Sequence, residues 1–503
     1  MVKSFQNSNN IKIKFDQAFH LHNAGELDQA KNLYLEILTV NPRHFDSLHL
    51  LGVIALHKKL FNKALELFDD ALLIDKTNSM VLNNKGNALR ELGRYVEAVK
   101  IYEFAITLNP TDATLHINLG LCLTKINLLN EALNSYSKAI ELNPNSVEAY
   151  TQRGVVLQEL NRLDEALLSH DKAIELNPDF AEAQWNKSLL LLSLSDFKNG
   201  WQLYDWRWKI KSPGFKALSF TKPKSEHFES NENKKLLIWG EQGVGDQILY
   251  TGMVDQAQKI RPTSKIMVDK RLLPLLKRSM PQGIFLEFSK DIKDSEYDEH
   301  LPIADLGKYF RNTSKDFDIS RQHYLIADQH RASEIRSKLM GGEKYLCGIT
   351  WSSKAEKTGN EKTAQLQDLL PIFAIGNIAF VSLQYGSVQN QLTEFNKAHN
   401  INIQECESVD NFNDLDGHAS LIQACDFVVA ISNTSAHLAG AIGQETYLLC
   451  PSGKGLLWYW SNTVDGKSMW YPSIQIHQQE VQGRWNEPIQ KIHNAIQKRI
   501  YAN

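Results

Sequence analysis

The chain reads as an α-helical repeat array followed by two α/β lobes, and three observations lead there. The N-terminal part of the 503 residues repeats itself every 34 positions. Beyond about residue 235 the pattern changes to short apolar strands alternating with helices. Between the two, residues 211–235 turn polar and carry Pro213 and Pro223 in a Ser/Asn/Glu/Lys-rich setting, which suits a linker. The organisation expected is a helical solenoid over 1–210, a linker over 211–234, a first α/β lobe over 235–341 and a second over 342–503.

The repeat is the strongest signal. Pro42, Pro110, Pro144 and Pro178 fall on one 34-residue lattice, with Lys76 at the step that lacks a proline. Gly52, Gly86, Gly120 and Gly154 share the same step, as do Ala30, Ala64, Ala98, Ala132 and Ala166, with Gly200 sixth. Small residues at such points let two antiparallel helices approach closely, and a proline ends the second helix. Tyr34, Phe68, Tyr102 and Tyr136 follow the alanines by four positions, so they fill the next contact on the same face. A sixth, degenerate unit starts near Ala181; its second helix carries Trp201, Trp206 and Trp208 and reads as a cap packed on the next domain.

In the second regime, strands are expected at 236–239, 265–268, 284–288, 345–350, 379–383, 427–431 and 446–449. Helices are expected at 272–279, 332–339, 389–398, 415–424 and 434–442. Alternation of this kind implies parallel sheets covered by helices, whose ligands sit at the carboxyl ends of the strands. The first such end is the loop Gly240-Glu241-Gln242-Gly243-Val244-Gly245-Asp246. It is neither a dinucleotide fingerprint nor a P-loop. It does place Asp246 in the first turn of a helix, where a carboxylate can cap the backbone or accept a proton. After the strand at 345–350 come hydroxyls, Gly359 and the lysines 354, 357 and 362, a composition suited to an anion. The stretch 432–437 opens another helix with Ser432, Asn433, Thr434, Ser435 and His437, where free N–H groups and the macrodipole attract negative charge.

Composition excludes several classes. Lys+Arg 55 against Asp+Glu 58 gives a net charge of −3, so no global field calls for nucleic acid. The N-terminus lacks an apolar signal-peptide core, and no window approaches 18 apolar residues, so no transmembrane segment and a cytoplasmic location are expected. Five dispersed cysteines suit reduced core thiols, with neither a disulfide framework nor a zinc site. The Asp414-Leu415-Asp416 triplet could pass for a metal-binding pair, but it opens a helix and reads as capping.

Two resemblances follow. The 34-residue units closely resemble the tetratricopeptide repeat over about 200 residues, whose concave face in general holds a peptide or protein. Over roughly 235–495, "GVGDQILYTGMV", "GITWSS…EKT", "SLQYG", "SNTSAHLAGAIG" and "WYPS" occur in order. Together they resemble the heptosyltransferase-like branch of GT-B glycosyltransferases, and more closely the bacterial chains that fuse tetratricopeptide repeats to such a domain. The resemblance implies a GT-B pair of Rossmann-like lobes, with an acceptor at the first and a nucleotide-diphosphate-sugar at the second. It also implies inverting transfer with no metal or other cofactor, and a final helix near 486–499 crossing back to the first lobe. Residue by residue, it implies Asp246 as the catalytic base and Gln242, Gly243 and Gly245 as the acceptor-side loop. The donor and its phosphates fall to Lys362, Ser432, Asn433, Thr434, His437, Ser352 and Gln384. Ser432-Asn433 stands where the family usually has Asp-Thr, which leaves the sugar open. The architecture also resembles O-linked N-acetylglucosamine transferases, in which repeats hold the protein being modified. The function expected is sugar transfer to a protein recruited by the repeats. The alternatives are transfer to a lipid-linked or cell-surface glycan, and an inactive repeat scaffold.

Overall fold

The computed structural model describes residues 2–210, 218–229, 234–317, 323–355 and 358–501, with the side chains of 2–8 left aside. Part of the expected linker (211–217 and 230–233) and Lys357 of the expected anion loop lie outside the described residues. The chain divides into two compact units, Met1–Ala183 and Gln184–Asn503.

The first unit is a run of antiparallel helix pairs: Val2–Asn23 with Leu27–Val40, Phe45–His57 with Phe61–Leu72, Ser79–Glu91 with Tyr95–Leu108, Ala113–Lys125 with Leu129–Leu142, and Val147–Glu159 with Leu163–Leu176. The lattice of small residues is the packing lattice. Ala30, Ala64, Ala98, Ala132 and Ala166 are wholly buried. A Cβ added to Gly86 would stand 2.5 Å from the Tyr102 ring, and one added to Gly120 would stand 2.7 Å from Tyr136. The aromatic ring of each second helix therefore occupies the space a side chain on the first would need. His170 takes the ring's place opposite Gly154.

Two further features keep the same period. His44, Asn78, Asp112 and Ser146 each cap a first helix by accepting a backbone N–H. Gly25, Lys59, Gly93, Asn127, Asn161 and Ser195 all turn between helices at positive φ. The last of these lies in the sixth pair, formed by Ala181–Ser193 and Phe197–Leu203 with a 3₁₀ extension Tyr204–Trp208. That pair belongs, from Gln184 onward, to the second unit.

The second unit holds two sheets. Four parallel strands, β1 (Leu236–Trp239), β2 (Lys265–Val268), β3 (Ile284–Glu287) and β4 (Glu299–Pro302), are ordered β3-β2-β1-β4. The second sheet contains β5 (Tyr345–Ile349), β6 (Ile378–Ser382), β7 (Ile403–Gln404), β8 (Phe427–Ile431), β9 (Thr446–Cys450), β10 (Thr463–Val464), β11 (Lys467–Ser468) and β12 (Ile474–Gln478). Its order is β10-β11-β12-β9-β8-β5-β6-β7, parallel from β12 to β7. Strand β8 is apolar and buried at every position, as expected of a central parallel strand. Strands β4, β7, β10, β11 and β12 lie outside the expected set. They are short or mixed in polarity, and pairing with a neighbour rather than a local pattern makes them strands.

The final helix, Asn486–Tyr501, differs from the expectation of a return to the first lobe. Its Ile489, Ile492, Ile496 and Ile500 are buried with Ile349, Phe380 and Val429 of the second sheet, and Arg499 pairs with Glu445. One apolar stripe gives a helix one place to dock, and here the second sheet fills it. Conversely, Gln329–Leu339, placed by sequence in the first lobe, packs on Leu415–Ala424 of the second, with Arg336 paired to Asp426 at 2.9 Å. Part of the expected linker is also built in: Phe220 stacks on His300 at 4.0 Å, beside Trp239. Among the described residues no helix is long and apolar enough to cross a membrane.

Candidate functional site

The two sheets aim their carboxyl ends at one cavity of about 640 Å³. The helix Val244–Thr251 after β1 and the helix Thr434–Ala441 after β8 pack against each other, and this contact fixes the cavity's floor. Gly245 permits that contact, and Gly440 makes room on the other side of the second helix for Tyr471. A Cβ on Gly245 would stand 2.8 Å from the His437 ring, and one on Gly440 would collide with Tyr471.

On the first-lobe side, Asp246 lies in the first turn of its helix and lines the cavity. Burial in the cleft pushes its carboxyl up to about 6; the Lys362 ammonium, the Tyr459 hydroxyl and the backbone N–H of Gly243 pull the other way. Tyr459 donates to Asp246 Oδ1 across 3.3 Å. A carboxyl with this poise is ionised at neutral pH yet ready to take a proton, which is what a general base requires.

On the opposite side, Lys362 is 5% exposed, and burial lowers its ammonium while Asp246 raises it. Asn433 caps Thr434–Ala441 by accepting the Ala436 N–H at 3.3 Å. The other end of this amide, Nδ2, finds no hydrogen-bond partner among the described residues, although Asn433 is only 8% exposed and lines the cavity. A buried donor left without an acceptor, beside a helix N-terminus and a buried lysine, is a place for an anion. Ser432 and Thr434 line the same wall. Ser432 Oγ already accepts the Trp460 indole N–H at 2.9 Å.

His437 lines the cavity but is engaged by two tyrosines: Nδ1 with Tyr471 at 3.0 Å and Nε2 with Tyr459 at 3.4 Å. Burial pushes it down to about 3, so it is neutral. It serves the site through Tyr459, which also reaches Asp246.

Three of the expected site residues stand elsewhere. Gln384 lies behind the cavity, where its amide ties the loop after β5, accepting Trp351 N–H and Ser352 N–H and donating to Ser352 O. Ser352 joins in those bonds through its backbone, and its neighbours Ser353, Lys354 and Ala355 line the cavity instead. Gln242 turns away and donates to the Tyr204 hydroxyl at 2.9 Å. Gly243 and Gly245 do line the cavity.

Tyr459, Trp460, Arg271 and His418 shape the site from outside the expected set, and Tyr471, expected only as part of the WYPS motif, holds His437. The run Trp458-Tyr459-Trp460 was a visible signal, since aromatics with polar tips rarely cluster without a packed polar partner. His418 bonds Asn411 Oδ1 at 2.7 Å and Ser435 Oγ at 2.9 Å, fixing the first turn of the anion-facing helix. Arg271, from the first lobe, donates to Phe412 O at 3.0 Å and lies 4.9 Å from that ring, closing the far end of the cavity. The triplet at 414–416 is spent structurally: Asp414 caps its helix and pairs with Arg331, and Asp416 pairs with Arg278. Among the described residues no three His, Cys, Asp or Glu side chains converge as a metal site.

Comparison with known proteins bears on the repeats. The family described as TPR repeat matches residues 86–127 and 122–161, and two described as tetratricopeptide repeat match 147–180 and 15–79. Protein FlbA of Caulobacter vibrioides is 25% identical over 328 residues, 61% of this chain and 53% of FlbA, so the chain spans about half the length of that curated relative. Among solved structures, MamA is 25% identical and covers 33% of this chain and 96% of its own, with a TM-score of 0.31. PilF of Pseudomonas aeruginosa is 22% identical over 39% of this chain and 90% of its own, with a TM-score of 0.36. YrrB, described as a TPR protein with an unusual peptide-binding site, is 24% identical over 35% of this chain and 92% of its own, with a TM-score of 0.30. The N-terminal helical pairs of this chain are tetratricopeptide repeats.

Proposed function

We propose that the second unit is a GT-B-type glycosyltransferase that moves a sugar from a nucleotide-diphosphate-sugar to an acceptor, a protein held by the repeats. The observation that carries the reading is the opposition of Asp246 to Lys362 and to Asn433 Nδ2, a donor with no partner among the described residues, in one cavity between the two sheets. The acceptor hydroxyl attacks the anomeric carbon as the bond from that carbon to the diphosphate oxygen breaks, with inversion. Asp246 takes the hydroxyl proton. Negative charge grows on the departing diphosphate, where Lys362, Asn433 and the N-terminus of Thr434–Ala441 meet it; one such preorganised donor is worth roughly 3 kcal/mol. Recruitment of a protein rests on the general use of such solenoids, and the cytoplasm, where nucleotide sugars are made, is the location this reading implies.

A thermal-shift and hydrolysis screen over nucleotide-diphosphate-sugars tests the reading. One donor class is expected to raise the melting temperature and to be slowly hydrolysed, and Lys362→Ala is expected to abolish the shift. A panel in which no donor shifts the melt leaves a binding scaffold in place of an enzyme.

A further inference from the structure

The sixth helical pair is sequestered in the second unit by an unusual investment of polar groups. Arg207 is completely buried; its Nη2 meets Asp305 at 2.7 Å and Glu241 at 3.2 Å, and Lys224 and Lys308 also reach Asp305. Glu241 is itself completely buried, and its second oxygen finds no partner among the described residues. The Tyr204 hydroxyl lies 3.0 Å from that of Tyr250 and accepts the Gln242 amide at 2.9 Å. A core needs none of these polar groups for cohesion, since burying charge is costly unless each member is paired, and an apolar set would hold as well.

What the network does is fix geometry. Glu241 and Gln242 are the loop that leads into Asp246, and Tyr250 lies one helical turn beyond it. The other half of the pair reaches the second lobe: Asn462 donates to Leu192 O at 2.9 Å and to Ser195 Oγ at 3.0 Å, three residues after Tyr459. Trp201 donates to Arg311 O at 2.8 Å and occupies the space a side chain at Gly307 would need.

We infer that the hairpin 184–208 is a positioning element of the site, in which Tyr204 and Arg207 hold the 240–243 loop so that Asp246 faces the cavity. The inference rests on the transferase reading for its kinetic consequence but not for its structural one. It makes the last helical pair part of the catalytic machinery, and the polar contacts explain why that pair departs from the repeat pattern while keeping its period.

The test uses the full chain with Tyr204→Phe, which removes one hydroxyl from a packed ring, and Gln242→Ala, which removes its partner from a half-exposed position. Exposed Gln202→Ala on the same helix is the control. Hydrogen exchange is expected to quicken about fivefold or more at amides 240–250 in both variants, and to stay unchanged at 427–431 and in the control. Hydrolysis of the donor found by the screen is expected to fall about tenfold in kcat, with uridine and guanosine diphosphate affinities, measured by calorimetry on whichever binds, within twofold of the parent. Unchanged exchange at 240–250 in both variants overturns the inference, as does a kcat equal to the parent's with exchange raised. If no donor is hydrolysed by the parent, exchange still decides the structural claim, and the failure belongs to the proposed activity alone.

Discussion

Asp246→Asn separates a catalytic base from a helix cap, because the two roles move stability in opposite directions. The carboxyl sits at about 6 against an ordinary 3.8, chiefly through burial. A carboxyl raised on folding binds more protons in the native state than in the unfolded chain between pH 4 and 6. Stability therefore falls as pH rises through that window, and the whole deficit is present above it. A rise from 3.8 to about 6 corresponds to about 3 kcal/mol. Solvent reaching the side chain from the open cleft, and the loss of a counter-charge for Lys362, reduce the gain expected on neutralisation to about 1 kcal/mol. Asparagine keeps the shape and the acceptor oxygen, so Asp246→Asn is expected to be more stable than the parent at pH 8 and no more stable at pH 4. It is also expected to bind nucleotide normally and to lose about 10²-fold or more in transfer. Urea titrations at the two pH values and product mass measure both. A variant less stable at pH 8, or one that transfers at the parent's rate, refutes the reasoning and leaves Asp246 a structural residue.

Four other outcomes are expected. In the parent, the acid limb of kcat/KM against pH has its midpoint near 6, where Asp246 loses its proton, and a limb near 4 contradicts the assignment. Lys362→Ala weakens nucleoside diphosphate binding in calorimetry and lowers turnover as well, since the leaving group carries more charge in the transition state than in the ground state. Lys59→Gly relieves a left-handed residue (φ 58°) in the turn between the two helices of the second repeat and stabilises the first unit by about 0.5 kcal/mol, the steric penalty less the added chain entropy, read as a shift in its urea midpoint. A chain starting at residue 181 keeps donor binding but loses transfer to the recruited protein. One starting at 211 loses donor binding too, because Phe197, Trp201 and Tyr204 belong to the second unit's core; thermal shift with the donor distinguishes the two.

The resemblance named a site whose members the tertiary structure then sorted. Asp246, Lys362 and the pair Asn433-Thr434 come from three separate strand ends and do meet around one cavity. Gln384 and Ser352 follow strands of the same sheet, yet a buried amide so placed satisfies the nearest backbone groups first and turns away from the ligand side. His437 looked like a direct donor on the first turn of a helix. Its two tyrosine partners arrive from 22 and 34 residues further on, at a distance no local pattern reports.

The sequence by itself determined whatever repeats or alternates. Thirty-four-residue spacing set the helical pairs, because each alanine, glycine and ring meets its counterpart within one unit or the next. Apolar runs set the central strands, because both their faces are covered. Only the tertiary structure decided where the sixth pair, the final helix and the edge strands belong. Those choices depend on side chains far apart in the chain: Arg207 on Glu241 and Asp305, Asn462 on Leu192, and the isoleucines of Asn486–Tyr501 on the second sheet. A stripe or a charge records in the sequence that it must be buried or paired; which partner satisfies it is settled when distant segments compete for the same space.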